Sequence, residues 1–209
     1  MPRSYDQYCA VARALDTVGD RWALLIVREL SAGPRRYTDL HADLPGISTD
    51  VLATRLKDLE RGDVVTRRRL PGPGSAVAYE LTDRGRALAP VLAALAAWGT
   101  PLLAEPRAVD AVRAHWAAVP LLNLLPVAPA VLEVRLDEGA FHVRLDAAER
   151  SFADGPAPDA DARLTLDPAA ARALITGTAT LADVLRAPGS RIEGDGPLVE
   201  LLAGGALVN

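Results

Sequence analysis

The chain has 209 residues, of which 50% are hydrophobic, so it can bury the core of one large domain or of two small ones. Its formal net charge of −4 is unusual for a protein that binds nucleic acid, but the charge is unevenly divided. Residues 1–105 carry 14 basic and 13 acidic side chains, a net charge of +1, whereas residues 106–209 carry 9 and 14, a net charge of −5. Composition therefore leaves DNA binding by the first half open, because local potential and not net charge steers a DNA ligand.

Two features of the sequence bear on the cellular compartment. The single cysteine, Cys9, excludes an intrachain disulfide and is typical of a reducing compartment. The first seven residues are polar, and no apolar segment follows at the distance that a signal peptide requires. We therefore expect a cytoplasmic protein.

The first two predicted elements are helices that contribute to a core. Residues 6–15 place their apolar side chains on one helical face. Residues 20–30 are apolar nearly throughout, which is typical of a central buried helix. Trp22, at the start of this second helix, is interpreted as a core anchor rather than as a platform for a ligand.

A capped amphipathic helix is predicted from Ser48 to Arg61. Ser48 or Thr49 can cap its first turn, and leucines at positions 52, 56 and 59 recur at the spacing of one buried face. Gly62 is expected to end the helix in a left-handed turn. The opposite face carries small and polar side chains, with Arg55 at its edge: Asp50, Ala53, Thr54, Lys57 and Arg61. On its own this pattern favours an ordinary packing helix, since most soluble helices have such an apolar stripe.

A basic β-hairpin is predicted directly after that helix. Strand-like segments at 64–66 and 76–81 flank three consecutive arginines and a Pro-Gly turn at 71–74. Alternation along the strand directs Arg67 and Arg69 to one face and Arg68 to the other. The alternative is a solvated edge strand whose charges prevent aggregation. The order of helix and basic hairpin nevertheless favours DNA binding, which needs a helix for the major groove and cations for phosphates.

The next segment, 87–104, is uncharged over 18 residues and follows Thr82, a predicted helix cap. It contains Pro90 and Pro101, so we interpret it as a buried or dimer-forming helix and not as a membrane span. An exposed apolar helix needs a partner, and a second copy of the chain is the simplest one. We place a domain boundary in the proline-containing break that follows, which divides the chain into 1–105 and 106–209.

The second half is predicted to be an α+β domain, joined to the first by a linker helix at 108–125 that is broken near Pro120. Asp167 is the expected cap of one helix, with Pro168 at its first position. Alternating segments predict strands at 131–136, 141–145, 149–153, 162–166 and 190–193. Further helices are predicted at 169–176, 180–185 and 197–202.

No enzymatic site is predicted. His41, His115 and His142 are scattered without a metal-binding spacing, and one cysteine cannot build a zinc cluster. The glycines at 72 and 74 follow the arginines and open no helix, so they do not form a phosphate-binding loop. We expect no metal, no cofactor and no enzyme activity.

Short motifs spread over residues 8–99 point to one known family. They are Cys9, GDRW at 19–22, LLI at 24–26, REL at 28–30, RY at 36–37, LPGIS at 44–48, RL at 55–56, LE at 59–60 and YELT at 79–82. Together they resemble the HxlR-type winged helix-turn-helix regulators. The resemblance implies a dimeric cytoplasmic transcription factor of the broader MarR-like kind, with a first motif helix at 36–42 and a recognition helix at 48–61. The chain departs from many members at Ala10, where they have proline after the cysteine.

The resemblance also implies which residues contact DNA. Thr49, Ala53 and Thr54 of the recognition helix are expected to face the bases, and Ser48 at its start is also expected to bind DNA. Three cations of the helix-turn-helix are expected to contact phosphates: Arg36, Arg55 and Lys57. Expected at the minor groove or the flanking backbone are the arginines of the hairpin, or wing: Arg67, Arg68 and Arg69. Two copies of the chain would place two recognition helices about one DNA turn apart, on a roughly palindromic site.

Cys9 is a candidate redox sensor, because in some relatives the matching cysteine senses electrophiles or oxidants. The thiolate is the reactive form, and an early position in a helix near Arg13 permits it. The alternative is a small buried hydrophobic residue, which is a common state of free cysteine.

A second resemblance lies within residues 131–205 and rests on scaffold positions. These are Asp161, Ala162, Leu164, Leu166, Asp167, Ala170, Leu174, Gly177, Ala182, Ile192, Gly194, Asp195 and Leu198. They resemble the sterol carrier protein type 2 fold, which implies an apolar tunnel for a lipid-like or aromatic effector. The chain is short for that family, so a closed tunnel is the alternative. The rival function is accordingly a small-molecule or lipid-binding carrier whose winged-helix domain serves mainly dimerisation.

Overall fold

The computed structural model describes residues 4–70, 76–103, 107–126, 128–146 and 150–203. The chain folds into two compact units, Met1–Leu92 and Ala93–Asn209. Both units combine helices with a sheet, in agreement with the predicted α+β class. The first unit closes before the predicted domain boundary between residues 105 and 106, which stays a prediction.

The first unit is a helix-turn-helix followed by a β-hairpin wing. Its helices are α1 (Ala10–Val18), α2 (Ala23–Ser31), α3 (Tyr37–Asp43), α4 (Thr49–Arg61) and α5 (Asp83–Arg86). Its strands are β1 (Arg35–Arg36), β2 (Val65–Arg69) and β3 (Val77–Leu81), which pair antiparallel in the order β1, β3, β2. The helix and hairpin thus follow one another as predicted, while the Pro-Gly turn at 71–74 lies outside the described residues.

The core of the first unit packs around the buried face of α4. Leu52, Leu56 and Leu59 have exposed fractions of 0, 1 and 1%, which confirms the predicted leucine stripe. They form one cluster with buried side chains of α2 and α3, including Ile26. Trp22 is partly buried against this cluster, so its interpretation as a core anchor is confirmed.

Helix α1 begins at Ala10, later than the predicted residue 6. The residues before it are engaged by Asp16, which lies within the helix. One oxygen of its carboxylate accepts a hydrogen bond from the Tyr5 N–H at 2.8 Å, and the other accepts one from the Ser4 hydroxyl at 3.0 Å. These contacts hold the incoming chain across the helix instead of extending it, which a periodicity argument does not detect.

The end of α4 differs from the prediction in its backbone conformation. Gly62 is not left-handed, with φ at −80°, and the left-handed residue is Asp63, with φ at +56°. Space rather than backbone freedom explains the glycine, because a β-carbon at position 62 would lie 2.6 Å from Thr17 Cγ2 on α1. Gly62 therefore permits the close approach of α1 to the end of α4.

Thr82 caps α5 as predicted, with its hydroxyl oxygen accepting from the Gly85 N–H at 3.0 Å. A break then separates α5 from α6 (Ala89–Gly99), none of whose residues is buried. The interpretation of this segment as a helix buried within the chain is therefore wrong, and the dimer-forming interpretation is left. In the part of the chain that the structure describes, no helix is both long and apolar enough to cross a membrane.

The predicted linker helix at 108–125 is wrong over its first half. Residues 107–113 are not helical, and Arg107 closes a local turn by donating its backbone N–H and its guanidinium to Asp110, at 2.9 and 2.7 Å. A short 3-10 turn, Ala114–Ala117, precedes α7 (Ala118–Leu122). Pro120 lies in the first turn of α7, where its missing N–H costs no helical hydrogen bond.

The second unit is built on a five-stranded sheet. Its strands are β4 (Val131–Leu136), β5 (Gly139–Leu145), β6 (Arg150–Asp154), β7 (Ala162–Thr165) and β8 (Arg191–Gly194), in the order β6, β5, β4, β7, β8. Strands β4 and β7 are parallel, and the other pairs are antiparallel. The helices after β7 are α8 (Pro168–Ile175), α9 (Leu181–Arg186) and α10 (Pro197–Ala203). Each predicted strand and helix of this part of the chain is confirmed to within about two residues.

One face of this sheet is apolar and fully covered. Its largest member is Phe141, which is completely buried with Leu132 and Leu164 in a cluster that includes residues of α8 and α9. The predicted cap of α8 is confirmed: Asp167 Oδ1 accepts a hydrogen bond from the Ala169 N–H at 2.9 Å, and Pro168 is the first residue of the helix. The apolar alternation of the strands is therefore the feature that builds the core of the second unit.

The other face of the sheet holds a buried carboxylate, Glu133 on β4, which is 1% exposed. Its Oε1 accepts from Arg135 Nε at 2.6 Å, and its Oε2 accepts from the Ala157 N–H at 3.0 Å and lies 3.9 Å from Arg163 Nε. Burial raises the pKa of Glu133, but the hydrogen bonds from Arg135 and Ala157 and the charges of both arginines outweigh it, so the pKa is lowered. Glu133 thereby fastens the connection between β6 and β7 onto the sheet.

We expect Glu133→Gln to destabilise the protein at pH 7 by about 1–3 kcal/mol, the value of a hydrogen-bonded charged group. Because the folded pKa lies below the unfolded value of about 4.3, the carboxylate contributes fully above that pH and its contribution disappears as pH falls through the folded pKa. Urea unfolding at a series of pH values should therefore show the wild type and variant converging in acid. Glu193→Gln, which breaks an exposed pair with Arg191, is the control and should change stability little. A difference that is constant from pH 7 to pH 3 would contradict this role.

Candidate nucleic-acid interface

The turn between α3 and α4 fixes how the recognition helix is presented. The Tyr37 hydroxyl donates to the Thr49 carbonyl at 2.7 Å, which ties the start of α3 to the start of α4. Of the two predicted caps, Ser48 is the N-cap of α4, and its hydroxyl oxygen accepts from the Val51 N–H at 3.3 Å. Gly46 in the connecting turn has φ at +85°, a conformation that glycine adopts without strain.

The outward face of α4 is small and polar. Ser48, Thr49, Ala53, Thr54 and Lys57 are all exposed, whereas the leucines at 52, 56 and 59 are buried. Thr54 donates its hydroxyl hydrogen to the Asp50 carbonyl at 2.7 Å, so its methyl group and oxygen lone pairs remain for an outside partner. The two faces of the helix are therefore divided as predicted. A surface of this kind fits base edges, which present donors, acceptors and the thymine methyl group.

Arg55 lies off this face, in an ion cluster with two carboxylates. Its Nη1 is 3.4 Å from Asp20 Oδ2 and 3.1 Å from Asp58 Oδ2, and its side chain is 29% exposed. Arg61 reaches the same carboxylate of Asp58 at 3.0 Å. These groups, with Asp16, line a small cavity of about 160 Å³. The arrangement ties α4 to the turn before α2, and it does not support the predicted phosphate contact of Arg55.

We expect Arg55→Gln to lower stability and to leave the salt dependence of DNA binding unchanged. Removing the guanidinium leaves Asp20 and Asp58 without its charge in a partly buried cluster, a loss of about 1–2 kcal/mol. Urea unfolding measures the loss, and binding titrations at several salt concentrations measure the slope. Arg61→Gln is the matched control, since Arg61 is more exposed and its loss should cost below about 0.5 kcal/mol. A slope that flattens by about 1.8 in Arg55→Gln, which is about 0.9 for each protomer of a dimer, would return this residue to the phosphate contacts.

Arg36 lies at the N-cap of α3 and is exposed. Its backbone N–H donates to Asp39 Oδ2 at 3.3 Å, which fixes the start of the helix and leaves the guanidinium outward. The neighbouring Arg35 differs, since its Nη1 is 3.5 Å from Asp43 Oδ2 and both side chains are largely buried. Only the first of these two consecutive arginines is therefore tied down within the fold, a distinction that the sequence does not reveal.

The wing arginines divide between the two faces of the hairpin as alternation predicts. Arg67 is opposite Tyr79 in the register of β2 and β3, and Arg68 is opposite Ala78. Arg68 Nη1 lies 3.2 Å from Glu80 Oε2 across the hairpin. Arg69 is the last residue of β2, next to the turn, and is exposed.

Arg67 makes the most extensive contacts of the three. Its Nε lies 2.8 Å from Glu60 Oε1, and its Nη2 donates to Glu60 Oε2 at 3.0 Å. The guanidinium carbon also lies 5.5 Å from the centre of the Tyr79 ring. The hydrogen bond to Glu60, followed by the charges of Tyr79 and Glu60, raises the pKa of Arg67. Sequence analysis missed Glu60 as a partner, because the contact crosses from a helix to a strand and has no periodic signal.

Cys9 is exposed and is the residue immediately before α1. Its interpretation as a small buried hydrophobic residue is therefore wrong within one copy of the chain. Arg13, the cation predicted nearby, lies with its Nη1 3.5 Å from Asp16 Oδ2 and donates to the Ser4 hydroxyl at 3.3 Å. Across the described ranges, no group of three His, Cys, Asp or Glu side chains is arranged to hold a metal ion.

The comparisons with known proteins identify the family of the first part of the chain. The model of the HxlR-like helix-turn-helix family matches residues 17–106. The chain is 42% identical to the uncharacterised HTH-type transcriptional regulator YvaP of Bacillus subtilis (strain 168) over 88 residues, which are 42% of this chain and 82% of that protein. It is 40% identical to the HTH-type transcriptional regulator YodB of the same organism over 85 residues, 41% of this chain and 76% of that protein. The solved structure of reduced YodB covers 48% of this chain and 100% of its own, at 34% identity and a TM-score of 0.41. The chain belongs to the HxlR-like helix-turn-helix family, whose members are DNA-binding transcriptional regulators and not enzymes.

Proposed function

We propose that the chain is a dimeric, sequence-specific regulator that places α4 in the major groove of a palindromic operator. The observation that carries the proposal is that α4 exposes small and polar side chains, while its leucine stripe is buried. We assign base contacts to Thr49, Ala53 and Thr54, beside the capping Ser48. Phosphate contacts are assigned to Arg36, which is exposed at the start of α3, and to Lys57, which is exposed on α4.

On the wing we assign contacts with the minor groove or the flanking backbone to Arg68 and Arg69. Arg69 lies nearest to the turn and is exposed. Among the described residues, Arg68 contacts Glu80 at 3.2 Å, and because an exposed pair of this kind contributes little to stability, its guanidinium can exchange the carboxylate for a phosphate.

The proposal of a dimer is supported by α6. The helix has no buried residue, although its composition is almost entirely apolar. Val91, Leu95 and Trp98 are exposed along it, with Trp98 at 74%. An unpartnered apolar helix of this kind is covered most simply by the same helix of a second copy, which also gives the twofold symmetry that a palindromic site requires.

Selection from a random duplex library, followed by gel shift at about 0.15 M salt, tests the function under conditions that screen weak non-specific binding. The expected result is a palindromic consensus that the protein binds in preference to a scrambled duplex of the same composition. Binding without any sequence preference would contradict the proposal. It would favour the rival function, a small-molecule or lipid-binding carrier whose winged-helix domain serves dimerisation.

We also propose that oxidation at Cys9 modulates operator binding, because the thiol is exposed at the start of a helix. Diamide, which is reduced as it joins the Cys9 thiols of two copies in a disulfide, should change the operator affinity of the wild type, and dithiothreitol should restore it by reducing that disulfide. Cys9→Ala should bind the operator like the reduced wild type and should not respond to diamide. An equal response of both proteins to diamide would remove Cys9 from the regulation.

For the second unit we propose the sterol carrier protein type 2 fold, supported by its five-stranded sheet with helices on the apolar face. That face is filled by its own side chains, which favours the closed alternative over an open tunnel. A cleft of about 520 Å³ elsewhere in this unit is lined by charged as well as apolar residues, including Arg144 and Asp161. Binding of a small apolar effector by this unit stays a prediction. The cytoplasmic location of the protein also stays a prediction.

A further inference from the structure

Arg67 differs from its two neighbours on the wing in what holds it. Two nitrogens of its guanidinium meet the two carboxylate oxygens of Glu60, at 2.8 and 3.0 Å, which is the bidentate geometry of the strongest arginine–carboxylate pairs. The guanidinium also lies over the ring of Tyr79. Three elements are joined at this point: Glu60 in the last turn of α4, Arg67 in β2 and Tyr79 in β3.

The Arg68 pair shows the contrast. Within the described residues, its contact with Glu80 joins two strands of the same hairpin that are already hydrogen-bonded to each other. The Glu60 pair instead joins the recognition helix to the wing. It therefore adds a restraint that the backbone hydrogen bonds of the hairpin do not provide.

The charge of Arg67 is neutralised by Glu60, which also argues against a contact between Arg67 and DNA. A guanidinium that keeps its carboxylate brings no net positive charge to the duplex. It then releases no counterion, so it adds nothing to the salt dependence of binding.

We propose that Glu60 and Arg67 are positioning residues, which set the angle between the recognition helix and the wing and make no phosphate contact of their own. The inference rests on the proposed function, since it concerns how the two DNA-contacting elements are held together. A fixed angle lets both elements reach their contacts on one operator at once, and a loosened angle lowers preference for the operator more than binding to DNA in general.

The test uses the full chain, the operator selected from the random library and a scrambled duplex. We measure the ratio of the two affinities and the slope of log affinity against log salt. Arg67→Gln should lower the ratio about tenfold without changing the slope. Arg69→Gln, from the same face of the same strand, is the matched control and should flatten the slope by about 1.8, the value for one lost phosphate contact in each of the two protomers.

The variants of Glu60 separate positioning from simple masking of a cation. Glu60→Gln should lower the ratio as Arg67→Gln does, and the exchanged pair Glu60→Arg with Arg67→Glu should restore it to within about threefold. If Glu60 only masks a phosphate-binding arginine, Glu60→Gln binds both duplexes more tightly with a steeper slope, and the exchange fails to rescue. Either of those results, or a flattened slope in Arg67→Gln, overturns the inference.

A failure of the proposed function is recognised separately, because the wild type would then select no operator. The pair is in that case tested without DNA, by a double-mutant cycle of Glu60→Gln and Arg67→Gln in urea unfolding. A coupling of about two- to fivefold in the unfolding equilibrium constant supports the tie between helix and wing. Additive effects of the two substitutions overturn it.

Discussion

The Ala53→Glu variant is expected to bind the selected operator at least about 100-fold more weakly than the wild type, since unmatched charge at an interface costs several kcal/mol. Ala53 is exposed on α4, whereas Leu52 and Leu56 on either side of it in sequence are buried. A carboxylate at this position would lie against the hydrogen-bond acceptors of the base edges and the negative phosphates beside them. None of the assigned contacts supplies a cation to neutralise it. The fold should be preserved, because the side chain is exposed and glutamate is a good helix former.

Gel shift with the operator measures the loss, and urea unfolding verifies that stability is unchanged. Ala169→Glu is the matched control: it places the same substitution at an exposed alanine in the first turn of α8, in the second unit. The control should bind the operator like the wild type. Wild-type affinity in Ala53→Glu would show that the outward face of α4 does not lie against DNA.

The second large effect is expected for Leu95→Glu, which should convert the proposed dimer into a monomer. Leu95 is exposed in the middle of α6, the apolar helix without a buried residue. A glutamate there would have to be buried without a partner in any contact between two copies of the helix. Loss of the second recognition helix should weaken operator binding by about 10²–10⁴-fold, because the two half-sites are no longer bound together.

Sedimentation and gel shift together measure this result. Val109→Glu, at an exposed valine outside any helix or strand, is the control and should leave both the mass and the affinity unchanged. A Leu95→Glu protein that still sediments as a dimer would exclude this face of α6 from the dimer contact.

The features that sequence analysis predicted correctly are determined by neighbours in the chain. The caps Ser48, Thr82 and Asp167 act on N–H groups within three residues. The leucine stripe of α4 and the alternation of the sheet strands repeat at the period of the element itself. Such features need no knowledge of what packs against the element.

The features that it missed depend on contacts between elements. Arg55 has the sequence position of a surface cation, but Asp20, on a different element, holds it within the fold. Arg67 stays exposed, but its partner Glu60 also lies on another element, across the turn between helix and strand. Gly62 was expected to adopt a left-handed backbone conformation, whereas a glycine is required there because the methyl group of Thr17 leaves no room for a β-carbon. In each case the partner lies on another element, and no local pattern reports it.

The predicted helix at 108–125 failed for a related reason. Its apolar periodicity is real, but Arg107 and Asp110 close a turn that competes with the helix at its beginning. The apolar residues after them are used by a 3-10 turn and the short α7 instead. The periodicity therefore correctly indicated buried and helical structure only for the later part of this segment.

The most direct measurement of the central claim is a dimethyl sulfate footprint of the wild-type protein on its selected operator, which reports access to guanine N7 in the major groove. If a dimer reads the operator through α4, two protected groups of guanines should appear, related by the palindrome and about one DNA turn apart. Protection of a single half-site, or full reactivity of every guanine in a bound duplex, would contradict the account.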